Sequence, residues 1–497
     1  MCVSGCLEKQ LRKSTLLLLI SIVSMKKYLY SALIVLIAVC SSFMFRAPDA
    51  DFQVRIVASG LSDPWSVVCA PSGDLWLTES KAYRLVKLDP RSGVRKVMLD
   101  LNSERKFPSL DQLKKDKQPT PQGGLMGLAL HPDFEKGKPY VYLSYVHKYL
   151  QGHQFLLRLA RYHYDSKRQV LDSGLVLCDT VPASNDHNGG RMLIAAVNGK
   201  PYLFYGVGDQ GSGQFSNGGA TNRAQQGNSY EGKILRFNLQ PGKDGNWIPS
   251  DNPFASAKSA IWSVGHRNPQ GLAFTVLNGR ERLYSSEHGP YSDDEINLIE
   301  KGKNYGHPLI IGYPDGNYNG LAASVSTEER YPGKWHTSYP FIKDEKRSAD
   351  SIGSTYRAPV MSFYPTSSAD LTALFKKVQQ DEKADWQAYA PSGIAVYHSK
   401  VIPGWDQSLL ITSLKTGKLL RLKLNDDGSV NPKVFEYVTS RARYRDVTVS
   451  KDGTKIYLAT DSSAITSGPT AENPKATSQR GCILELTYVK NGTAKLP

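Results

Sequence analysis

Two short segments hold residue types that could do chemistry together. Gly265-His266-Arg267-Asn268-Pro269-Gln270-Gly271-Leu272-Ala273-Phe274 sets an imidazole, a guanidinium and two amides ahead of an apolar run. Ser286-Glu287-His288-Gly289-Pro290-Tyr291-Ser292-Asp293-Asp294-Glu295-Ile296-Asn297-Leu298 gathers four acidic residues around a Gly-Pro pair. The first segment supplies cationic and amide donors. The second supplies oxygen ligands on a backbone whose shape glycine and proline restrict. Together they suit an anionic, carbonyl-bearing ligand held beside a hard metal ion.

Further polar sets stand at matching places elsewhere. Asp186-His187-Asn188-Gly189-Gly190-Arg191, Arg267-Asn268, Arg443-Tyr444-Arg445-Asp446 and Gln122 each stand just ahead of an apolar strand-like run. One such residue alone reads as part of a turn; four sets in register point to convergence at one end of a central channel. His187 beside Asp186 suits a general base, because imidazole titrates near neutral pH and a carboxylate can orient it. Arg267 can hydrogen-bond a carbonyl and stabilise charge developing there. Lys415, Arg443 and Arg445 offer positive charge to carboxylates, the arginines as planar forks. Asp209 and Gln214 could hydrogen-bond a ligand's hydroxyls, and Asp209 reads equally as a turn carboxylate bonded to its own backbone. Asp293-Asp294-Glu295 reads either as a solvated loop or as a calcium site, and its spacing is not that of an EF-hand.

These residues hang on a repeated unit of strand, Pro/Gly/Asp/Asn turn and strand. Six copies occur, beginning at Trp65, Gly127, Arg191, Gly271, Gly393 and Asp446. Turn chemistry and β-branched or aromatic enrichment make them hairpins. Arg84–Leu88, Lys233–Phe237 and Leu419–Leu424 add third strands. The pattern predicts an all-β, six-bladed β-propeller with long inter-strand insertions over residues 51–497; a β-sandwich array is the competing architecture. Phe52–Val57 and Cys482–Tyr488 are placed to close the ring in one blade. Residues 101–121 read as a charged surface loop, and residues 310–385 as a long excursion without strand rhythm. Within it Leu371, Leu374, Phe375 and Val378 have helical spacing and predict a short packing helix.

The formal net charge of +15 favours anionic partners. No Lys/Arg-rich run is interleaved with aromatics, which argues against nucleic acid. Met25-Lys26-Lys27 and the apolar run Tyr28–Val39 form a signal segment, shorter than the ~20 residues of a spanning helix. Residues 1–50 are therefore expected to be an N-terminal extension and signal segment, with Met25 as the start and export to the periplasm or beyond. Ile37-Ala38-Val39-Cys40 also offers a lipoprotein site with an anchor on Cys40. Past residue 50, Cys69, Cys178 and Cys482 give an odd count and no disulfide framework.

The segments Gly265–Phe274 and Glu287–Tyr305 closely resemble those of soluble quinoprotein glucose dehydrogenases and aldose sugar dehydrogenases. These are six-bladed propellers that use pyrroloquinoline quinone (PQQ) and calcium, and the resemblance spans most of residues 52–490. It implies oxidation of an aldose at C1, with His187 as base, Asp186 beside it, and Arg267 polarising the quinone that takes the hydride. Asn268, Lys415, Arg443 and Arg445 match PQQ-contacting positions; Gln122, Gln214 and Trp386 match the sugar and cofactor pocket. Gly289 and Pro290 would offer carbonyls to the calcium that bridges to PQQ, and Glu295 and Tyr305 match a second calcium region. The resemblance also implies an external electron acceptor and admits a homodimer. Lys383 and Ala388 depart from the glucose enzymes, and His288 resembles the aldose-dehydrogenase branch, so substrate choice is less constrained than cofactor. A calcium-dependent propeller lactonase or a non-catalytic glycan- or protein-binding propeller are the alternatives. The first has no use for Lys415, Arg443 and Arg445 together, and the second none for His187 and Arg267 in register.

Overall fold

A computed structural model describes residues 45–46, 52–172, 174–254, 259–463 and 478–489. The expected signal segment and Cys40 lie outside the described residues. Six antiparallel sheets form a six-bladed propeller. Blade one is Pro64–Cys69, Leu75–Glu79, Arg84–Leu88 and Arg95–Asp100. Blade two is Leu125–Leu130, Tyr140–Tyr149 and Gln154–Asp165, with Val170–Leu171 and Leu175–Ser184 both pairing to the last of these. Blade three is Met192–Val197, Lys200–Val207, Lys233–Phe237 and Ile261–Val264. Blade four is Pro269–Leu277, Arg280–Glu287, Asp294–Ile299 and Met361–Phe363. Blade five is Pro391–Tyr397, Ser408–Ser413, Leu419–Lys423 and Phe435–Tyr437. Blade six joins Tyr444–Val449, Lys455–Thr460 and Ile483–Tyr488 to Phe52–Ala58, so both ends of the ring share one sheet as the sequence predicts.

The core lies in the seams between blades. Trp76 and Leu85 pack with Leu128 and Leu143 between blades one and two. Tyr142 and Leu157 meet Leu203 and Tyr205 in the next seam. Further seams join Phe204 to Leu272, Tyr284 to Leu420, Tyr397 to Leu458, and Val67 to Tyr457. A blade cannot bury both faces alone, so each is stabilised by its neighbours.

Five of the six inner strands carry a register shift near their start, between Pro64 and Val67, Leu125 and Leu128, Pro269 and Gly271, Pro391 and Ile394, and Tyr444 and Asp446. Such bulges re-aim side chains. They matter here because Gln270 and Arg445 sit in two of them and line the cavity described below.

The insertions are more ordered than the sequence suggests. Residues 101–121 contain the short helix Leu110–Lys115, capped by Ser109. Residues 310–385 supply the outer strand Met361–Phe363 of blade four and the helix Glu345–Ile352. Three residues are too few for a visible alternation, which is why that strand escapes a sequence reading. The predicted helix is present as Ser368–Gln379, with Leu371 and Phe375 buried against Trp335 and Tyr291. Cys69, Cys178 and Cys482 are free thiols. Among the described residues, no helix is long and apolar enough to cross a membrane.

Candidate active site

Every blade contributes to one cavity of about 520 Å³. The residues just ahead of the six inner strands face it: Asp63, Gln122, Asp186 with His187, Arg267 with Asn268, Ala388 with Ala390, and Arg443. The residues just past several second strands complete the wall: Lys81, His288 with Gly289, Leu414 with Lys415, and Asp461. The convergence follows from the repeat, because equivalent positions of successive blades face the same end of the channel.

His187 is buried, and its backbone sits in the left-handed region at φ +46°. A non-glycine residue held there is strained, a feature that clusters at functional sites. Its Nδ1 lies 2.7 Å from Asp209 Oδ1. Asp209 is fully buried, and its Oδ2 also accepts from His307 Nε2 at 2.8 Å, Tyr339 hydroxyl at 2.9 Å and Asn222 Nδ2 at 2.9 Å. Burial alone would raise the Asp209 pKa. The two histidines outweigh it and hold the carboxyl well below the usual range. A permanent carboxylate on Nδ1 leaves Nε2 as the basic nitrogen. That nitrogen accepts from Gln214 Nε2 at 3.0 Å. The same Gln214 amide donates to Asp186 Oδ2 at 2.8 Å and accepts from Arg267 Nη2 at 2.8 Å. Base, cation and glutamine are thus one hydrogen-bonded group.

Two sequence assignments change. The carboxylate that orients the imidazole is Asp209, not Asp186. Asp186 Oδ1 accepts the His187 backbone amide at 3.0 Å and stands 3.9 Å from Nε2, beyond hydrogen-bond reach. Nor is Asp209 placed to bind sugar hydroxyls, because it is enclosed by side chains and does not line the cavity. Its turn role is also present, since Oδ1 accepts the Gly211 amide at 2.9 Å. His307 stands just ahead of the long insertion and Tyr339 lies within it, and neither carries a local signal of this part.

Arg267 donates through Nη1 to the His288 carbonyl at 3.2 Å, and its Nε is buried without a partner. Its backbone amide donates to the Glu287 carboxylate, which His266 Nδ1 also meets at 3.0 Å. His288 lines the cavity with Nε2 unpartnered; burial, then Arg267 and His187, push its pKa well below the ordinary value. Asn268 Oδ1 accepts from Gln270 Nε2 at 2.9 Å and the Gly189 amide at 3.2 Å.

The basic wall belongs to blades five and six. Arg445 forks onto Asp461 at 2.8 and 2.7 Å, reaches Gln270 Oε1 at 2.9 Å and lies 4.3 Å over the Trp65 ring. Arg443 Nε stands 3.4 Å from the same carboxylate, and its Nη1 has no partner. Lys415 donates to the Trp386 carbonyl, pairs with Asp385 at 3.1 Å, and lies 4.4 Å over the Trp386 ring. Asp461, Lys81 and Gln270 were not singled out from sequence. The register of the repeats holds the signal: Lys81 stands two residues past Leu75–Glu79, as Lys415 stands two residues past Ser408–Ser413.

The acidic segment is not a solvated loop. Asp293, Asp294 and Glu295 are buried or nearly so, and Asp294 opens a strand. Asp294 accepts the amides of Gly289, Tyr389 and Ala390, yet burial still raises its pKa to about 6. Burial and then Glu287 push Glu295 well above the usual range. Gly289 and Pro290 line the cavity. A Cβ on Gly289 would stand 1.8 Å from the Ser292 carbonyl, so glycine is required for this turn. Glu295 and Tyr305 lie away from the cavity. The Tyr305 hydroxyl donates to the Leu298 carbonyl at 2.6 Å and accepts the Glu300 amide at 2.9 Å. Among the described residues, no group of three or more His, Cys, Asp or Glu side chains is arranged to hold a metal ion.

The sequence model of the Glucose / Sorbosone dehydrogenase family matches residues 61–341 and 373–466. This chain belongs to that family. Membership agrees with the quinoprotein sugar-dehydrogenase resemblance read from the sequence. Quinoprotein glucose dehydrogenase B of Acinetobacter calcoaceticus is 32% identical over 473 residues, covering 89% of this chain and 92% of the relative. Aldose sugar dehydrogenase YliI of Escherichia coli (strain K12) is 28% identical over 434 residues, covering 86% and 94%. The solved PQQ-bound form of aldose sugar dehydrogenase from Streptomyces coelicolor superimposes with a TM-score of 0.56 at 24% identity, over 89% of this chain and 99% of that one. That likeness is one of fold.

Proposed function

We propose that this chain is a PQQ- and calcium-dependent dehydrogenase that oxidises aldoses at C1 to the lactone. The observation that carries the proposal is the shared cavity. A base with a fixed tautomer, a guanidinium with a spare N–H and a basic wall all face one space. PQQ is a tricarboxylate o-quinone, and when bound it supplies the two-electron acceptor that no side chain provides. The donor set fits it. Arg443, Arg445 and Lys415 oppose carboxylates, Asn268 adds an amide, and the unpartnered Arg443 Nη1 and Arg267 Nε are free donors. Gly289 and Pro290 would present carbonyls to a calcium ion, with Glu295 and the Tyr305 main chain in a second calcium region.

In this reading the anomeric hydroxyl takes the place of the Gln214 amide at His187 Nε2. His187 removes the hydroxyl proton, and Asp209 stabilises the resulting imidazolium. Arg267 stabilises negative charge developing on the acceptor carbonyl. Gln122, Asp186 and Gln214 bind sugar hydroxyls, and Trp386 offers an aromatic face. An external acceptor then removes the electrons. The lactonase alternative leaves the basic wall without a role. Export with residues 1–50 as leader, or acylation at Cys40, belongs to the same proposal, with residues 51–497 as the catalytic propeller. Reconstituting purified apoprotein with PQQ and calcium, then following quinone reduction by a panel of aldoses, tests it. No reduction by any aldose despite bound PQQ would overturn the substrate assignment.

A further inference from the structure

Lys81 is a cavity cation that the scheme above leaves unused. It lines the wall with Asp63, Gln122, Arg443, Arg445 and Asp461. Its Nζ donates to the Gly123 carbonyl at 2.5 Å and to the Pro121 carbonyl at 3.3 Å. Those two carbonyls flank Gln122. The turn is also held by the Gln122 amide on the Ser184 carbonyl at 3.1 Å, the Leu125 amide on the Ser80 carbonyl at 3.1 Å and the Val146 amide on the Gly124 carbonyl at 2.9 Å, none of which reaches the Pro121 or Gly123 carbonyl. Close packing already demands glycine at Gly124, where a Cβ would stand 2.1 Å from the Ser80 carbonyl. The glycines that make this approach also make the turn pliable, and one ammonium ties both of its inward carbonyls.

Gln122 passes that restraint to the catalytic rim. Its Oε1 accepts the Asn188 amide at 3.0 Å, its carbonyl accepts Asn188 Nδ2 at 2.8 Å, and its Nε2 donates to Asp186 Oδ1 at 3.2 Å. Asp186 and Asn188 bracket His187. We propose that Lys81 is a positioning residue that fixes the Gln122 turn and the Asp186–Asn188 rim, and that its positive charge makes cofactor affinity fall in mild alkali. This rests on the PQQ reading given above. Burial lowers the Lys81 pKa to about 8; Asp63 and Asp461 pull it up, while Lys114 and Arg445 push it further down. As pH rises through that value the ammonium becomes an amine. The carbonyl clamp then weakens, and the wall loses a charge that faces the ligand's carboxylates.

The test is PQQ binding to apoprotein with calcium, read by fluorescence quenching from about pH 7 to about pH 9.5. Hydrogen exchange of residues 121–125 is measured alongside. Wild type should bind progressively more weakly across that range. Lys81→Arg keeps its charge throughout, so whatever affinity it shows at neutral pH should persist across the range without the alkaline fall. Lys81→Met should bind roughly tenfold more weakly at neutral pH, through the lost charge and the loosened turn, and show no alkaline fall. Exchange at 121–125 should quicken in Lys81→Met and not in Lys81→Arg. An alkaline fall retained in Lys81→Arg would assign it to another group and overturn the proposal, as would wild-type affinity and exchange in Lys81→Met. If Lys81→Met does not fold, the Lys81→Arg pH comparison decides alone. If wild type binds no PQQ, the cofactor reading fails first, and the exchange comparison still decides whether Lys81 holds the turn.

Discussion

Two buried charged regions of this ring are built in opposite ways. On the basic side, Arg445 and Arg443 share the carboxylate of Asp461, with Gln270 and the Trp65 ring completing the shell. On the acidic side, Asp293 accepts from Ser292, Ser362 and Asn317, Asp294 from three backbone amides, and Glu295 from Asn297 and the Gly312 amide. No side-chain cation pairs with these three carboxylates among the described residues. Burial raises the pKa of all three. The first region is pre-paired and presents spare N–H groups. The second is short of counter-charge. A buried charge held only by neutral dipoles is costly unless a partner arrives. The pair of regions therefore fits an anion on one side and a cation on the other, as PQQ with calcium would supply.

The sharpest way to break this comparison is to remove the basic side. The double variant Arg443→Ala, Arg445→Ala should lose PQQ affinity by about 1.5–3 kcal/mol for each lost charged hydrogen bond. Titration of folded apoprotein measures it, and unchanged affinity would place the cofactor elsewhere.

A comparable loss, in rate and not in binding, is expected for Asp209→Asn. Asparagine cannot hold the imidazole tautomer that leaves Nε2 basic, so sugar-driven reduction should slow by about 10²–10⁴-fold at near-normal PQQ affinity. Asp186→Asn, which disturbs a backbone contact and two glutamines, should slow it far less. The reverse order would restore Asp186 as the orienting carboxylate.

The smallest effect belongs to the acidic side. Carboxylates with raised pKa bind protons that calcium must displace, so ion binding is favoured as pH rises. The calcium-induced rise in Tm should be larger at about pH 7.5 than at about pH 5, in line with the Asp294 value near 6. A shift independent of pH would mean that calcium avoids this segment.

Much of this was legible in the sequence because propeller repeats place like residues alike. The hairpin turns gave the blades, and the polar residues ahead of each inner strand gave Gln122, Asp186, His187, Arg267 and Asn268 as one cluster. What was not legible depends on distant partners. Asp209 reads as a turn residue, and its partners lie 98 and 130 positions away, His307 just ahead of the insertion and Tyr339 within it. The bulges that aim Gln270 and Arg445 inward have no compositional mark, since they are one-residue changes of register. Asp461 looks like any carboxylate after a strand until Arg443 and Arg445 close on it.

The central claim is that His187 takes the sugar's proton while the rest of the cavity holds the cofactor. Stopped-flow reduction of bound PQQ in His187→Gln tests it most directly. The account predicts PQQ binding like wild type and aldose-driven reduction slower by about 10²–10⁴-fold, the usual contribution of a general base. Reduction at the wild-type rate would contradict it.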